Sequence, residues 1–349
     1  MQQTGQLTAV DELREIVETT FPNEEIAFSF GYGSGVLSQQ LSSSTTGDDE
    51  IKVIDLILVV RDSRKFHRDN LQLNPDHYAV PRVLGTEVGA SYATWLQRHN
   101  VDNNIFCNPR IYFNVTPRIK YGVVQAEDLS VDLVDWKYLY LAGRMHKPVV
   151  TIVDNTRPSA TSHMDSIQYQ QDNHNLPAAL STALLLLSLQ NEQEENDESP
   201  TTAQFAEAAV YQQIAAISYT GDFRTALGAE DPRKIQKLVE SPGQLERFRD
   251  LYAVPAAHLH QAGILSMDWS WDAKSPTARS HLWRALPPSL RALEDMNDTQ
   301  TASLKLAAAL PTIVAPAARY QSFKGLFTAG VRKSAKYAAR KFSKGLTAK

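Results

Sequence analysis

The chain has 349 residues, of which 43% are hydrophobic and 21% charged, and its formal net charge is −4 at pH 7. This length suffices for two domains with separate cores. No uninterrupted apolar run reaches the roughly 20 residues of a membrane-spanning helix, and a single cysteine, Cys107, excludes an internal disulfide and a thiolate zinc site.

The N-terminal part alternates predicted helices and strands. Apolar residues at helical spacing predict the helices Val10–Thr20, Ser63–Leu73, Pro81–His99 and Leu129–Gly143. Runs of β-branched and aromatic residues predict the strands Ile26–Phe30, Ile51–Val60, Arg110–Val115 and Arg118–Val124. The second of these strands is almost continuously apolar, as expected for a strand covered on both faces.

Beyond about Pro148 the predicted elements are mainly helices. They cover Leu176–Leu189, Thr201–Ser218, Asp231–Glu240, Ser241–Tyr252 and Ser289–Met296. We therefore predict an α+β protein with an N-terminal domain at 1–150, a helical domain at 151–316 and a separate tail at 317–349.

The tail is basic and amphipathic. No acidic residue follows Asp298, and lysines and arginines, Lys324 among them, recur from Arg319 to Lys349. Apolar side chains from Phe323 to Leu346 fall on one side at helical steps, which predicts a helix lying in a membrane interface and contacting anionic lipids. Clustered cations also bind nucleic acid. The apolar row favours the membrane, so no nucleic-acid partner is expected.

A glycine-rich turn is the first candidate for a site. Gly31-Tyr-Gly-Ser-Gly35 follows a predicted strand. Gly33 and Gly35 let main-chain N–H groups approach a phosphate, and Ser34 adds a hydroxyl donor. Such turns are common, so this motif alone is a weak indication of phosphate binding.

Asp55 strengthens that indication, because it interrupts the apolar run Val53–Val60. A carboxylate in such a strand costs several kcal/mol unless a partner compensates its charge. A divalent cation, here Mg²⁺, is one such partner, and a buried arginine is the alternative.

A second metal ligand is missing from the same strand. Two-metal nucleotidyl-transfer sites carry a second carboxylate two residues away, where this chain has Val53 and Ile57. Asp132 is the candidate for that ligand. Asp48 and Asp49 are less favoured, because acidic residues of polar loops are usually only solvated.

Three cations are candidates for binding phosphate charge. Lys120 lies between strand-like segments, and Arg144 and Lys147 follow a predicted helix end. The structural alternatives are a surface lysine and favourable placement near a helix C-terminus. His67 and His77 match no metal-ligand spacing, so we expect both to be hydrogen-bonded.

Several segments, in this order and spacing, carry a family resemblance over nearly the whole chain. They are Phe30–Val36, Phe66–Asn70, Asn74–Tyr78, Ile119–Val123, Leu133–Trp136, Leu139–Val149, Ser218–Arg224 and Thr328–Ser334. Together they resemble the mitochondrial phosphatidate cytidylyltransferases, the CDP-diacylglycerol synthases of the translocator-assembly-and-maintenance type.

The resemblance implies a polymerase-β-like nucleotidyltransferase domain followed by a winged-helix-like domain. It also implies a peripheral protein on the matrix side of the mitochondrial inner membrane that converts CTP and phosphatidate to CDP-diacylglycerol and pyrophosphate for cardiolipin synthesis. The first residues, 1–12, show no recognisable transit pattern.

In that reaction the turn Gly33–Gly35 would hold the β- and γ-phosphates of CTP, and Asp55 would bind Mg²⁺. Lys120, Arg144 and Lys147 would neutralise charge on the leaving pyrophosphate. Two alternatives stay open at this point: a nucleotidyltransferase with another acceptor, such as RNA, a protein or a small alcohol, and a non-catalytic membrane-associated assembly factor.

Overall fold

A five-stranded mixed sheet organises the first half of the chain in the computed structural model, which describes residues 9–37, 53–156, 166–194, 202–221, 233–295 and 298–329. The strands are β1 (Ile26–Tyr32), β2 (Ile54–Val60), β3 (Ile111–Val115), β4 (Ile119–Gln125) and β5 (Val150–Asp154). Their order is β3-β4-β2-β1-β5. Strands β2 and β4 are parallel, and the other neighbours are antiparallel. The four predicted strands are confirmed, and β5 adds a fifth strand beyond residue 150.

Six helices accompany the sheet within the described residues. They are α1 (Ala9–Thr20), α2 (Ser34–Leu37), α3 (Ser63–Leu73), α4 (Thr86–Arg98), α5 (Ala126–Asp135) and α6 (Ala142–Met145). The predicted continuous helix from Pro81 to His99 is wrong at its start. A 3₁₀ turn at Pro81–Leu84 precedes Gly85, whose φ of 78° is left-handed and separates that turn from α4.

The rest of the described chain is mainly helical. It contains α7 (Ile167–Gln170) with a following π-helical turn (Gln171–Asn175), α8 (Leu176–Glu194), α9 (Glu207–Ile217), α10 (Lys234–Glu240), α11 (Gln244–Gln261), α12 (Pro276–Ala285), α13 (Pro288–Arg291) and α14 (Thr299–Ala329). The prediction of helix from Thr201 is wrong for its first residues, which form β6 (Thr202–Gln204) paired with β7 (Ser270–Asp272).

The two faces of the sheet pack against different partners. Successive strand residues point to opposite faces. One face, including Ile57 and Val59, joins the core shared with α5 and α8. The opposite face, including Leu56 and Leu58, packs with α1 and α3. Asp55 therefore shares the face of Ile57 and Val59 but lies at the beginning of β2, where that core ends.

Helix α14 is a core helix over most of its length. Its segment 300–325 is long and apolar enough to cross a bilayer by length and composition. However, Leu306, Leu310 and Val314 are at most 4% exposed in the core shared with α8. The predicted start of the tail at residue 317 falls inside this helix.

One predicted lipid-facing cation is buried in the protein. Lys324 is 1% exposed, and its Nζ donates hydrogen bonds to the carbonyl of Leu96 (3.1 Å) and Oδ1 of Asn108 (2.8 Å). Burial holds the pKa of Lys324 well below its usual value. The assignment of Lys324 to the lipid-facing cations was therefore wrong, whereas residues 330–349 of the predicted tail lie outside the described residues.

The expectation that His67 and His77 are hydrogen-bonded is confirmed. The ring nitrogens of His67 pair with the hydroxyl of Tyr78 (2.8 Å) and Oε1 of Gln97 (2.9 Å), and Nδ1 of His77 pairs with the hydroxyl of Tyr121 (3.0 Å). Burial lowers the pKa of His67 to about 4, so this ring is neutral at pH 7.

Candidate functional site

Three polar side chains form one row across neighbouring strands at the end of the sheet. The strand register pairs Asp55 with Tyr32 of β1 on one side and with Lys120 of β4 on the other. Nζ of Lys120 lies 3.7 Å from Oδ1 of Asp55, and both side chains are about one-third exposed. The pairing of β2 with β4 thus brings together two of the predicted site residues.

The electrostatics of this row depend on partial burial. Burial raises the pKa of Asp55 above its usual value, while the charges of Lys120 and Arg144 oppose that rise. Burial also raises the pKa of Tyr32. A partly desolvated carboxylate beside two cations interacts strongly with any further ion that enters, because screening by water is reduced there.

The glycine-rich turn lies directly against Asp55. Gly33 has a left-handed φ of 80°, and a Cβ built on it would lie 3.7 Å from Oδ2 of Asp55. A Cβ on Gly35 would overlap the carbonyl oxygen of Val53, so the chain approaches β2 closely only because this residue is glycine. Ser34 begins α2, and its side chain lies outside the described residues.

Arg144 lies among aromatic rings next to this row. Its guanidinium carbon is 4.3 Å from the ring centre of Tyr140, 5.3 Å from that of Tyr32 and 5.9 Å from that of Phe113. The guanidinium also donates hydrogen bonds to the carbonyl (3.0 Å) and hydroxyl (3.3 Å) oxygens of Tyr140. These contacts fix the direction of the cation without an acidic partner among them.

Asp132, the proposed second metal ligand, has a different set of contacts. Its carboxylate is 2% exposed and accepts hydrogen bonds from the N–H groups of Tyr138 (2.9 Å), Tyr140 (3.2 Å), Leu141 (2.8 Å) and Ala142 (3.0 Å). Both oxygens thus already organise the loop that leads to Arg144, which favours a role in positioning that loop over the predicted role as a metal ligand.

The predicted helix from Leu129 to Gly143 is wrong beyond Asp135, where the loop held by Asp132 begins. Helix α5 ends at Asp135, because Trp136 (φ 52°) and Leu139 (φ 49°) adopt left-handed conformations. The carboxylate of Asp132 supplies acceptors for the N–H groups that a continuing helix would have paired within itself.

A second basic group lies where α6 meets the end of α9. Nζ of Lys147 donates to the carbonyl of Gly143 and to Oγ of Ser218 (2.8 Å). The ring centre of Tyr219 lies 5.2 Å from Nζ of Lys147 and 4.6 Å from Nζ of Lys234. Burial, with the nearby charges of Arg144 and Lys234, lowers the pKa of Lys147 to about 7.

Sequence reasoning missed Tyr32, Ser218, Tyr219 and Lys234 as members of this region. The signal for two of them was present, because Ser218 and Tyr219 begin one of the segments that carried the family resemblance. Gly143 gives the reason for their place here: a Cβ at this position would overlap Cβ of Ser218, so α6 and the end of α9 touch directly.

The metal-binding capacity of the region rests on Asp55. Among the described residues no group of three His, Cys, Asp or Glu side chains is placed to hold a metal ion. Asp48 and Asp49 lie outside those residues. One carboxylate fits a Mg²⁺ ion that takes its other ligands from substrate phosphates and water, which is how this ion is commonly bound.

Comparison with known proteins gives one consistent result. The family model for mitochondrial phosphatidate cytidylyltransferase matches residues 13–344. A relative of that name from Caenorhabditis elegans is 31% identical over 97% of this chain and 100% of its own length. Relatives of the same name from Drosophila melanogaster (31% identical, 93% of this chain, 96% of its own) and Xenopus laevis (32%, 93% and 92%) agree.

The role of Asp132 as a loop organiser predicts a large loss of stability on truncation. Replacing Asp132→Ala leaves several buried N–H groups without acceptors, which we expect to lower the free energy of unfolding by about 3–5 kcal/mol. Asp135→Ala, an exposed position on the same helix, is the matched control and should change it by less than about 0.5 kcal/mol. Urea unfolding measures both, and equal effects would contradict the assignment.

Proposed function

The chain belongs to the mitochondrial phosphatidate cytidylyltransferase family, and from this we propose that it transfers the CMP unit of CTP to phosphatidate. The products are CDP-diacylglycerol, the precursor for cardiolipin synthesis, and pyrophosphate. The structural observation that supports this proposal is the arrangement of Asp55 and Lys120 beside the Gly33 turn, with Arg144 next to them.

In the proposed reaction a phosphate oxygen of phosphatidate attacks the α-phosphorus of CTP in line. A bond from this oxygen to the α-phosphorus forms, and the bond from the α-phosphorus to the bridging oxygen of the pyrophosphate breaks. The attacking oxygen is already ionised near neutral pH, so the chain does not have to supply a strong general base. Catalysis then depends on positioning and charge stabilisation.

Each residue has a defined place in this proposal. Main-chain N–H groups of Gly33, Ser34 and Gly35 bind the β- and γ-phosphates. Lys120 and Arg144 stabilise the charge that develops on the departing pyrophosphate, and Lys147 binds its far end. Asp55 holds Mg²⁺, which when bound neutralises phosphate charge and orients the triphosphate.

The proposal extends to architecture and location. The sheet with its helices corresponds to a polymerase-β-like nucleotidyltransferase domain, which must then reach through β5 rather than end at residue 150. The helical part to residue 316 corresponds to a winged-helix-like domain. The relatives are named mitochondrial, and the lipid acceptor and the basic sequence 330–349 support a peripheral position on the matrix side of the inner membrane.

Asp55→Asn tests the function most simply. We expect it to lower CDP-diacylglycerol formation from CTP and phosphatidate by about 10³-fold or more, because Mg²⁺ loses its protein ligand and Lys120 its counter-charge. Thin-layer separation of labelled lipid products gives the rate, and thermal unfolding should show that the fold persists.

The control for this variant is Asp135→Asn, which removes an exposed carboxylate from α5 and should turn over like the parent chain. Near-normal turnover of Asp55→Asn would contradict the site. Labelling of RNA instead of phosphatidate by the parent chain would contradict the proposed acceptor.

From the lowered pKa of Lys147 we predict that the protein takes up a proton when it binds CTP. With a pKa of about 7, this side chain is mostly neutral at pH 8, and a triphosphate beside it favours the charged form. At pH 8 we therefore expect uptake of about one proton, and CTP affinity that falls by up to about tenfold per pH unit above pH 7.

Calorimetry of CTP binding without phosphatidate, in two buffers of different ionisation enthalpy, measures that uptake. Lys147→Met should bind CTP more weakly and lose the proton uptake. Equal uptake by the parent chain and by this variant would show that another group titrates.

A further inference from the structure

Large apolar side chains lie exposed where α4 meets α14. Trp95 is 56% exposed, Ile105 60% and Phe323 52%. Isolated exposed apolar residues are normal, but a group of them marks an interaction surface. Trp95 and Phe323 lie on different helices, and Ile105 directly precedes Phe106, whose ring contacts Phe323, so the fold rather than the local sequence brings these segments together.

The exposed rings are members of one continuous run of ring contacts, which we call the aromatic ridge. Its members, in the order of their contacts, are Tyr92, Trp95, His99, Tyr320, Phe106 and Phe323. Consecutive ring centres are 6.2, 4.4, 5.8, 6.4 and 6.2 Å apart. The ridge thus crosses from α4 onto Tyr320 of α14, and Phe106, in the segment that precedes β3, links Tyr320 to Phe323 in the last described turns of α14.

Buried polar contacts hold the two helices together below the ridge. Lys324 donates to the carbonyl of Leu96 and to Asn108, and the N–H of Cys107 donates to the carbonyl of Pro316 (3.2 Å). The hydroxyl of Tyr320 pairs with Nε2 of His99 (2.7 Å). Because these contacts fix both supporting segments, the ridge is formed before any partner arrives.

We propose that the aromatic ridge rests in the interfacial layer of a lipid bilayer, as a contact of the folded body additional to that of the basic sequence 330–349. Tryptophan and other amphipathic rings favour this layer, where one part of the ring is apolar and another is hydrated. The inference rests on the proposed function, which requires the protein to reach a phosphatidate embedded in a membrane.

The positive charge of the residues that follow α14 indicates that the partner of the ridge is lipid. Residues 330–349 follow in sequence the helix that carries Phe323, and they contain seven lysines and arginines and no acidic residue. A cationic segment is attracted to anionic lipid headgroups. A bilayer therefore satisfies the apolar ridge and the adjacent cations together, with two contributions that respond differently to salt.

Vesicle binding at low and at high salt separates the apolar contribution to membrane binding from the electrostatic one. In about 1 M salt the attraction of exposed charges is screened, so the remaining binding of the full chain reports its apolar contacts, and the part of it lost in a ridge variant reports the ridge. For Trp95→Gln/Phe323→Gln we expect sedimentation with phosphatidylcholine–phosphatidate vesicles to weaken by roughly ten- to thirtyfold in high salt, from the apolar area removed.

The matched control removes equally exposed apolar side chains elsewhere. Val254 is 59% exposed on α11 and Met267 is 83% exposed in the following turn. Val254→Gln/Met267→Gln should bind vesicles like the parent chain. Unchanged binding of the ridge variant, or an equal loss in the control, would overturn the proposal.

A positional probe gives a second measurement on the full chain. Burial raises the pKa of Cys107, the single cysteine of the sequence, to about 12 and makes its thiol unreactive. Ile105→Cys and Val254→Cys can therefore be labelled with an environment-sensitive dye. Vesicles should shift the emission of the label at 105 to shorter wavelength and leave that at 254 unchanged.

Equal responses at the two labelled positions would overturn the proposal. So would a shift at 105 that depends on protein concentration and not on vesicles, because the ridge would then join two copies of the chain.

Activity in detergent distinguishes this inference from the proposed function. With phosphatidate dispersed in micelles, the ridge variant should make CDP-diacylglycerol at the parent rate, because no ridge residue belongs to the Asp55 site. If the parent chain makes no CDP-diacylglycerol in micelles or vesicles, the proposed function fails. The dye and sedimentation results then still decide whether the ridge meets a bilayer.

Discussion

The ion pair between Asp55 and Lys120 is the interaction on which the candidate site depends. Each residue lies on a strand whose next side chains on that face are apolar or glycine, and the parallel pairing of β2 with β4 sets them opposite each other. Burial disfavours the charge of Asp55, and Lys120 and Arg144 compensate it. An ion pair that is partly desolvated but still open to solvent is poised to exchange one partner for a ligand charge.

The cations of the site are positioned in different ways, by the sheet and by contacts of the segments that follow it. Lys120 lies on the sheet, whereas Arg144 is oriented by aromatic rings and by the loop that Asp132 organises. Lys147 is tied to Ser218, at the end of α9, where Gly143 allows the two segments to touch. The sheet and the helical half therefore both contribute to one basic region.

The strands, Asp55 and the turn at Gly33–Gly35 were predictable from the sequence, because burial on both faces of a strand and glycine-rich turns leave strong local patterns. The sequence did not predict what depends on long-range contacts. Asp132 is predicted as the second metal ligand because the strand of Asp55 lacks a second carboxylate, whereas its contacts in the structure are main-chain N–H groups six to ten residues later. Lys324 was placed toward lipid because periodicity cannot reveal the carbonyl of Leu96 that buries it.

A structure of the full chain with CTP and Mg²⁺ tests the central claim most directly. The account predicts that the ion contacts a carboxylate oxygen of Asp55 and the phosphates of CTP, with Lys120 turned from Asp55 toward the triphosphate. A triphosphate bound elsewhere, with the ion pair of Asp55 and Lys120 unchanged, would contradict it.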